Sequence, residues 1–471
     1  MHTTSRLTTR KFRERLQLRY PGLEKNPAYW RFIHYLLFGT HRDRESRELV
    51  IPLELLASME DALPQAESRN YVAERFLKAF QHDVLPEFRY SDPVYTRGQA
   101  RTVVTDGLDS DVAAWCDDMA RELVLDDGDV VEVDTGHVRT RGKQASQDAA
   151  DRAVVASRMT RGVAPETRDV IEYQNGLDKR GFTDVARAHT KPAYEAAQSI
   201  ADPSSRRQAM TALASVLMHP KPIIGPARNS ARAFNIRLSL LSLKSDIRRA
   251  FTQRWVDYDL KSAQLAIVAR TWDIPELRRF LESSESVWSH LANELGVPET
   301  SKPAIKEAVY SLVFGAAKGT ISDQLASDLG DKDDRGFFDV PLIRLVYEAR
   351  QEQTEAVKAA AWGETVLGRR IEIDLDGRVD ESRAARSILA QQAQAFELWL
   401  MHPIYELAKA TNQFHVMLYQ FDGVTIRYRD KRSAPTWHRR ITEAVAKRAE
   451  ELDIRTTLEH EPGTAFDWDL A

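Results

Sequence analysis

The spacing of apolar and polar residues predicts a helical first half of the chain and a mixed second half. Apolar positions recur with helical periodicity between residues 27 and 88. Residues 140–215 are polar and rich in Ala, Arg, Asp and Gln, a composition typical of long helices. We therefore predict a mostly helical N-terminal region of unknown role at 1–139, followed by a helical connector at 140–215.

The periodicity changes within residues 254–269. Apolar Val256 and Tyr258 alternate with two aspartates, as in a half-buried strand, and an apolar run with helical spacing follows. A strand that ends in an acid, here Asp259, and turns into a helix can hold a metal ion at the sheet edge. The alternative is a surface Asp that only caps the helix.

The segment 301–318 predicts a helix with an unusual face. Two lysines and two aromatic rings lie on that face at four-residue intervals: Lys302, Lys306, Tyr310 and Phe314. Cations followed by rings can hold a triphosphate at one end and a stacked base at the other. An aromatic stripe with solvent-exposed lysines is the alternative.

Residues 414–428 predict a β-hairpin, because two apolar strands flank the dipeptide Asp422-Gly423. An aspartate at the tip of a buried hairpin is costly to desolvate unless it is paired or binds a metal. Taken alone, an Asp-Gly hairpin indicates a turn and no more.

Composition narrows the class of protein. The 471 residues allow two or three domains, and the net charge is only -4, so any surface for a polyanion must be local. One cysteine excludes an intramolecular disulfide and fits a reducing compartment. No apolar run is long enough to span a bilayer, and the N-terminus lacks the pattern of a signal peptide. We expect a cytoplasmic protein without a membrane partner.

A basic strip is the local exception to the low net charge. Between residues 205 and 255 stand ten basic residues against one acid, Asp246. Such a strip is the expected footprint of a groove that follows a nucleic-acid backbone; arginines paired with acids elsewhere are the alternative. Four of these residues are predicted nucleic-acid contacts: Arg228, Arg232, Arg237 and Arg248.

Together the three segments resemble the motifs of the family A (DNA polymerase I-like) nucleotide polymerases. Asp259, with Gln264 and Leu265 after it, resembles the first motif. The Lys/aromatic helix, ending in Gly315, has the spacing of the second, and Asp422 resembles the hairpin aspartate of the third. The resemblance covers about residues 225–471 and includes the segment 364–370 and the spacing from Arg386 to Gln394. We see none over 1–215, and no exonuclease domain.

The resemblance implies an α+β fold with the plan of a right hand. Region 216–471 would hold a palm of antiparallel strands, from about 220–269 and 365–471, and helical fingers at about 270–364. The polar stretch 140–215 is then the candidate for a reduced thumb.

It also implies a template-directed nucleotidyltransferase, foremost a DNA-directed DNA polymerase that extends a primer on a DNA template with dNTPs. Asp259 and Asp422 would hold two Mg²⁺ ions, with Mn²⁺ as the alternative. Lys306 would contact the phosphates and protonate pyrophosphate, and Lys302 would clamp the outer phosphates. The partners would be DNA and nucleotides, in a monomer or a replication complex.

The remaining roles follow from the same resemblance. Tyr310 would pack on the sugar and base of the incoming nucleotide, and Phe314 would stack at the templating position. Arg386 and Gln394 would contact primer or template from the minor-groove side.

Three departures from the family pattern keep alternatives open. Gln264 stands where the family has the glutamate that, with the ring at position 310, excludes a 2′-hydroxyl. A primase or RNA polymerase-like enzyme that uses ribonucleotides therefore remains the first alternative. Phe421 and Gly423 replace the hairpin His and Glu, and a catalytically inactive nucleic-acid-binding protein is the second alternative.

Overall fold

A computed structural model describes most of the chain. The described residues are 7–38, 49–51, 69–90, 101–104, 110–125, 130–139, 145–160, 162–227, 230–283, 286–329, 336–373, 380–463 and 466.

Helices dominate the described part. In chain order they are α1 (Arg10–Arg19), α2 (Pro27–Phe38), α3 (Arg69–Asp83), α4 (Ser110–Leu125), α5 (Ala145–Met159), α6 (Pro165–Gly176), α7 (Arg180–Ala188), α8 (Thr190–Gln198), α9 (Pro203–Met218), α10 (Ser245–Phe251), α11 (Ala263–Thr271), α12 (Pro275–Glu282), α13 (Val287–Glu294), α14 (Lys302–Val313), α15 (Lys318–Leu329), α16 (Pro341–Ala360), α17 (Glu381–Ala410) and α18 (Ala434–Glu451). Short 3-10 helices occupy Pro21–Lys25, Leu240–Ser242, Glu299–Ser301 and Phe337–Asp339.

The strands are short and pair antiparallel. They are β1 (Leu7–Thr9), β2 (Leu49–Ile51), β3 (Arg89–Tyr90), β4 (Arg101–Val104), β5 (Val130–Glu132), β6 (Val138–Arg139), β7 (Ile224–Pro226), β8 (Ala233–Asn235), β9 (Val256–Leu260), β10 (Trp362–Glu364), β11 (Arg370–Glu372), β12 (Phe414–Tyr419), β13 (Gly423–Tyr428) and β14 (Leu458–Pro462). Mixed helices and small antiparallel sheets are compatible with the α+β class; the palm and the fingers stay predictions.

The chain forms two compact units, which we describe separately. Unit 1 comprises 1–151, 178–222 and 237–252, and unit 2 comprises 152–177, 223–236 and 253–471. These units reflect spatial packing, whereas the predicted regions 1–139, 140–215 and 216–471 rest on sequence patterns and on the family resemblance. The three regions therefore stay predictions.

Unit 1 contains two three-stranded sheets, in the orders β1-β5-β6 and β2-β4-β3. Its core includes a cluster of aromatic rings from α2, α3 and the segment after α3. Phe32 packs edge-to-face on Phe80 and Phe88, with ring centroids 4.7 and 5.7 Å apart. Edge-to-face contacts of this kind stabilise a core beyond the burial of apolar area alone.

Unit 2 contains the ribbons β7-β8 and β10-β11 and a four-stranded sheet in the order β12-β13-β9-β14. Helices α11 to α17 enclose an apolar core beside it. In α14 the buried residues recur at helical spacing: Ile305, Ala308, Val309, Leu312 and Val313. The Lys/aromatic face of this helix lies beside that buried stripe.

Strand β9 gives the four-stranded sheet two different faces. Residues opposite one another on antiparallel strands share a face, and Thr425 and Gly423 pair with Asp257 and Asp259. These residues define the carboxylate face. The residues between them define the tyrosine face, on which Tyr258 pairs with His460 of β14.

Among the described residues, none of the helices has the length and apolar character that crossing a membrane requires. The cytoplasmic location stays a prediction.

Candidate active site

The register of the central sheet brings the two predicted metal ligands together. Gly423, the first residue of β13, lies opposite Asp259, and the Leu260 amide donates to the Asp422 carbonyl oxygen at 3.0 Å. Asp422 therefore lies beside the end of β9. Asp259 belongs to β9 and Asp422 immediately precedes β13, two strands that are distant in sequence and adjacent in space.

The hairpin differs from its prediction in the position of the turn. Gly423 belongs to β13, and residues 420–422 form the connection, with Phe421 in the left-handed region at φ 73°. The predicted Asp422-Gly423 turn is wrong, because the glycine serves close approach instead. A Cβ at 423 would lie 2.7 Å from the Tyr258 carbonyl oxygen and 3.1 Å from Asp259 Oδ1. The site thus has no room for a glutamate at 423.

The electrostatics of the pair favour a cation. Burial, then the charge of Asp422, raises the pKa of Asp259 to about 7, although Lys306 opposes the shift. Burial also raises the pKa of Asp422, against the charges of Arg232 and Lys306. The Asp259 side chain still reaches solvent at the rim of this crowded site. A divalent ion prefers oxygen ligands of this kind, and its charge would favour the ionised form of both carboxylates.

Protein ligands for such an ion are few. Across the described ranges, no group of three or more His, Cys, Asp or Glu side chains could hold a metal. Mg²⁺ is commonly bound by one or two carboxylates, with water and substrate phosphates as the other ligands. Asp259 and Asp422 are compatible with that arrangement.

The two lysines of helix α14 have different surroundings, and only Lys306 is near the aspartates. Lys302 forms an ion pair with Glu299, which lowers the pKa of that carboxyl group. The Lys306 ammonium lies 5.3 Å from the centre of the Trp288 ring. Trp288 in turn packs edge-to-face on Tyr310 at 5.9 Å. Sequence reasoning did not include Trp288, which nonetheless supports both predicted residues.

A cavity of about 830 Å³ opens between α14 and α17. Five of the predicted residues line it: Lys306, Tyr310, Phe314, Arg386 and Gln394. A volume of this order suits a ligand of nucleotide size. The structure thus places both predicted helices at the same concave surface.

Two lining residues are held by hydrogen bonds within the protein. Arg386 Nε donates to the Gly315 carbonyl oxygen at 3.0 Å, and Gln394 Oε1 accepts from Ser230 Oγ at 2.5 Å. Gly315 has φ +87°, and a Cβ there would lie 2.8 Å from Arg386 Cβ. A glycine is therefore required where α14 meets α17.

Sequence reasoning missed a buried carboxylate behind Asp422. Glu397 of α17 is 1% exposed and accepts from Arg232 Nε at 2.8 Å and from Gln264 Nε2. Burial, followed by smaller effects that include the charge of Asp422, raises its pKa to about 7, while Arg232 opposes the shift. Its signal in the sequence is a lone acid in an apolar helical run, on the face that Arg386 and Gln394 share.

Arg232 also lies against two rings. Its guanidinium carbon is 4.6 Å from the centre of the Phe421 ring and 5.4 Å from that of Phe314. The Arg232 side chain therefore contacts the hairpin tip, the end of α14 and Glu397. Its predicted contact with nucleic acid stays a prediction.

The other predicted basic contacts lie elsewhere. Arg237 and Arg248 belong to unit 1. The Arg237 guanidinium donates to Asp148 and Asp151 at 2.8 Å, and Arg248 Nη1 donates to the Leu243 carbonyl oxygen at 3.3 Å. Arg228 lies outside the described residues. The nucleic-acid roles of these three residues stay predictions.

Comparison with known proteins adds little. No protein-family model matches the chain, and no curated protein matches it in sequence. Among solved structures, the POL domain of Pol1 from M. smegmatis, in complex with DNA primer-template and dNTP, matches with a TM-score of 0.43 and 11% identity. The match covers 68% of this chain and 66% of that one, which is less than two thirds of its length. At this TM-score the likeness is too weak to bear on function.

Proposed function

We propose that the chain is a template-directed nucleotidyltransferase that extends a primer with nucleoside triphosphates, most simply a DNA-directed DNA polymerase. One observation carries the proposal. The pairing of Gly423 with Asp259 brings the carboxylate at the end of β9 near the one that precedes β13, and the charge of Lys306 partly offsets the rise in the pKa of Asp259. Phosphoryl transfer needs a centre of this kind, since it depends on positioning and charge neutralisation.

Asp259 and Asp422 would hold the divalent ions, Mg²⁺ or Mn²⁺. When bound, such ions lower the pKa of the attacking 3′-hydroxyl and offset the charge of the leaving pyrophosphate. The reaction needs no protein nucleophile, which agrees with a site built from carboxylates and cations.

The residues of α14 would bind and orient the nucleotide. Lys306 is near enough to both aspartates to affect their pKa values and would contact the phosphates. Tyr310 and Phe314 line the cavity together with Lys306 and would pack on the nucleotide and the templating position. Lys302 would exchange Glu299 for the outer phosphates. Arg386 and Gln394, held on α17, would contact primer or template.

The raised pKa values of both aspartates count against a catalytically inactive nucleic-acid-binding protein. A binding surface gains nothing from two crowded carboxylates, because they repel both one another and a phosphate backbone. Active sites are where such costs are commonly found.

The test is incorporation into a labelled primer on a DNA template, with an unprimed strand alongside, each with dNTPs or NTPs and with Mg²⁺ or Mn²⁺. We expect extension of the primed strand by the unaltered chain. Asp259→Asn and Asp422→Asn should each lower the rate by about 10³-fold, which corresponds to about 4 kcal/mol of transition-state stabilisation.

Asp257→Asn is the matched control. Asp257 lies on the same strand and face as Asp259, but it accepts hydrogen bonds from Thr425 and Gln420, and Asn keeps an acceptor there. Its activity should stay within a few-fold of the unaltered chain. Equal loss in all three variants, or full activity in the Asp259 and Asp422 variants, would contradict the assignment.

A further inference from the structure

Helix α16 contains a buried arginine that the proposed chemistry does not use. Arg350 is 3% exposed, and no carboxylate forms an ion pair with it among the residues that the structure describes. Burial lowers the pKa of the Arg350 guanidinium group from its ordinary value, and the charge of Arg386 lowers it further. A buried cation is costly unless polar groups of the fold replace the lost water. The hydrogen bonds of Arg350 therefore show which part of the fold compensates for its burial.

That part is the C-terminal end of α14. Arg350 Nη1 donates to the carbonyl oxygens of Leu312 and Ala316, both at 2.9 Å. The last carbonyl groups of a helix carry a partial negative charge, so a cation beside them is favourable. The backbone closes the same turn with two hydrogen bonds, from the Gly315 amide to the Leu312 carbonyl oxygen and from the Ala316 amide to that of Ser311. Arg350 thus binds a turn that is already well defined.

The turn that Arg350 binds is also part of the cavity wall. Phe314, Gly315 and Ala316 line the cavity. Arg386 of α17 donates to the Gly315 carbonyl oxygen and lines the cavity as well, so a ligand can reach it. Arg350 is buried and does not line the cavity. It can therefore affect a ligand only through the position of α14.

We infer that Arg350 is a positioning residue that fixes the C-terminal end of α14 and thereby holds the rings of Tyr310 and Phe314 in place for nucleotide and template. The inference rests on the proposed function and adds a residue to that site. The Phe314 amide donates to the Tyr310 carbonyl oxygen at 2.8 Å, so both rings belong to the turn that Arg350 holds. Without the guanidinium group, these rings would have to be ordered when the nucleotide binds, which lowers affinity.

Arg350→Met tests the inference, because it keeps an unbranched side chain and removes every donor to α14. In primer extension we expect KM for the nucleotide to rise about tenfold, since two side chains must then be ordered on binding. The value of kcat should change less than about threefold, because Asp259 and Asp422 do not belong to α14. Arg350→Lys keeps the charge and a donor, and it should return KM to within about threefold of the unaltered chain.

Amide hydrogen exchange gives a second readout that needs no activity. In the chain without nucleotide, Arg350→Met should speed exchange over residues 311–316 by about tenfold and leave β12 and β13 unchanged. Arg350→Lys should keep most of the protection. If Arg350→Met does not fold, Arg350→Gln replaces it with the same expectations, because a neutral amide fills the site with a polar group.

Thr354→Val is the control for a purely structural loss. Thr354 is 1% exposed, and its hydroxyl donates to the Arg350 carbonyl oxygen at 2.7 Å within α16. Its substitution removes a buried hydrogen bond of the same helix but no donor to α14. It should lower the melting temperature and leave both KM and the exchange over 311–316 unchanged.

The outcomes separate the inference from the proposed function. Unchanged KM in Arg350→Met while extension continues, unchanged exchange over 311–316, or an equal rise of KM in Thr354→Val would overturn the inference alone. A chain that incorporates no nucleotide overturns the proposed function. The exchange measurement then still decides whether Arg350 fixes the end of α14.

Discussion

The two faces of the central sheet use titratable side chains in opposite ways. On the tyrosine face the Tyr258 hydroxyl lies 2.5 Å from the Tyr428 hydroxyl and 2.9 Å from His438 Nδ1. On the carboxylate face Asp259 lies where the charge of Asp422 makes its ionisation more costly. One strand, β9, supplies both arrangements from alternate positions.

The tyrosine face is a closed network. Burial, then the presence of Tyr428, raises the pKa of Tyr258 far above its ordinary value, so the hydroxyl stays neutral and bonded. His438 also packs against His460, with ring centroids 4.4 Å apart. Polar atoms that satisfy one another in a buried site stabilise a fold and specify its packing.

The carboxylate face has an imbalance of charge instead. The two aspartates repel each other, and the nearby cations reduce this repulsion only in part. Selection for stability alone would not retain two carboxylates that repel each other. The contrast therefore supports the proposal that one face of β9 serves stability and the other serves function.

The largest expected effect tests whether Arg232 supports the carboxylate site. Arg232→Met leaves Glu397 as a buried charge without its cation, which should lower the free energy of unfolding by about 3–5 kcal/mol. Chemical denaturation monitored by circular dichroism measures the change.

Arg370→Met is the matched control. Arg370 is 60% exposed and 3.5 Å from Glu372, and exposed pairs contribute about 0–1 kcal/mol. Equal effects of the two substitutions would show that Arg232 does not stabilise the buried charge of Glu397. The proposed difference between the two faces would then have one argument fewer.

The intermediate effect belongs to the tyrosine face. Tyr258→Phe removes the hydroxyl that Tyr428 and His438 share, which should cost about 1–3 kcal/mol of unfolding free energy. Primer extension at a temperature well below the melting transition should stay unchanged. A loss of activity without a loss of stability would contradict the assignment of function to the carboxylate face alone.

Local sequence patterns predicted the elements of this site well. The strand at 256–260, the helix after Ser301 and the hairpin at 414–428 all appear, because alternation and helical spacing depend on neighbours in the chain. The hairpin turn was wrong for a non-local reason. Gly423 is required by its approach to Tyr258 on another strand, and no property of residues 420–423 alone reveals that contact.

The same dependence on non-local contacts explains why Glu397 was not predicted. Glu397 interacts with Arg232 and Gln264, which lie 165 and 133 positions away. The sequence shows a lone acid in an apolar helix, but its partners depend on how α17 packs. The register that pairs Gly423 with Asp259 is non-local in the same way. Local patterns therefore predicted candidate residues for the site, and the structure was needed to show which of them meet.

The smallest expected effect tests the imbalance on the carboxylate face directly. The pKa of Asp259 is raised to about 7 in the folded chain, so between pH 4 and 7 the folded state binds more protons than the unfolded state. The stabilisation that the protonated Asp259 side chain contributes to the folded state is therefore lost as pH rises through this range. Asp259→Asn, in the absence of divalent ions, should reduce this decline and slightly stabilise the chain at pH 7.5. The gain should be small, because solvent reaches the carboxylate and screens it.

Added Mg²⁺ provides the second arm of this measurement. An ion that binds only the folded state raises stability with its concentration, so Mg²⁺ at pH 7.5 should stabilise the unaltered chain and have little effect on Asp259→Asn. Unfolding curves at pH 5 and pH 7.5, with and without Mg²⁺, give four values for each of the two chains. A variant that is less stable than the unaltered chain at pH 7.5 without Mg²⁺ would mean that Asp259 stabilises the fold. The two faces of β9 would then not differ in the way that their charges indicate.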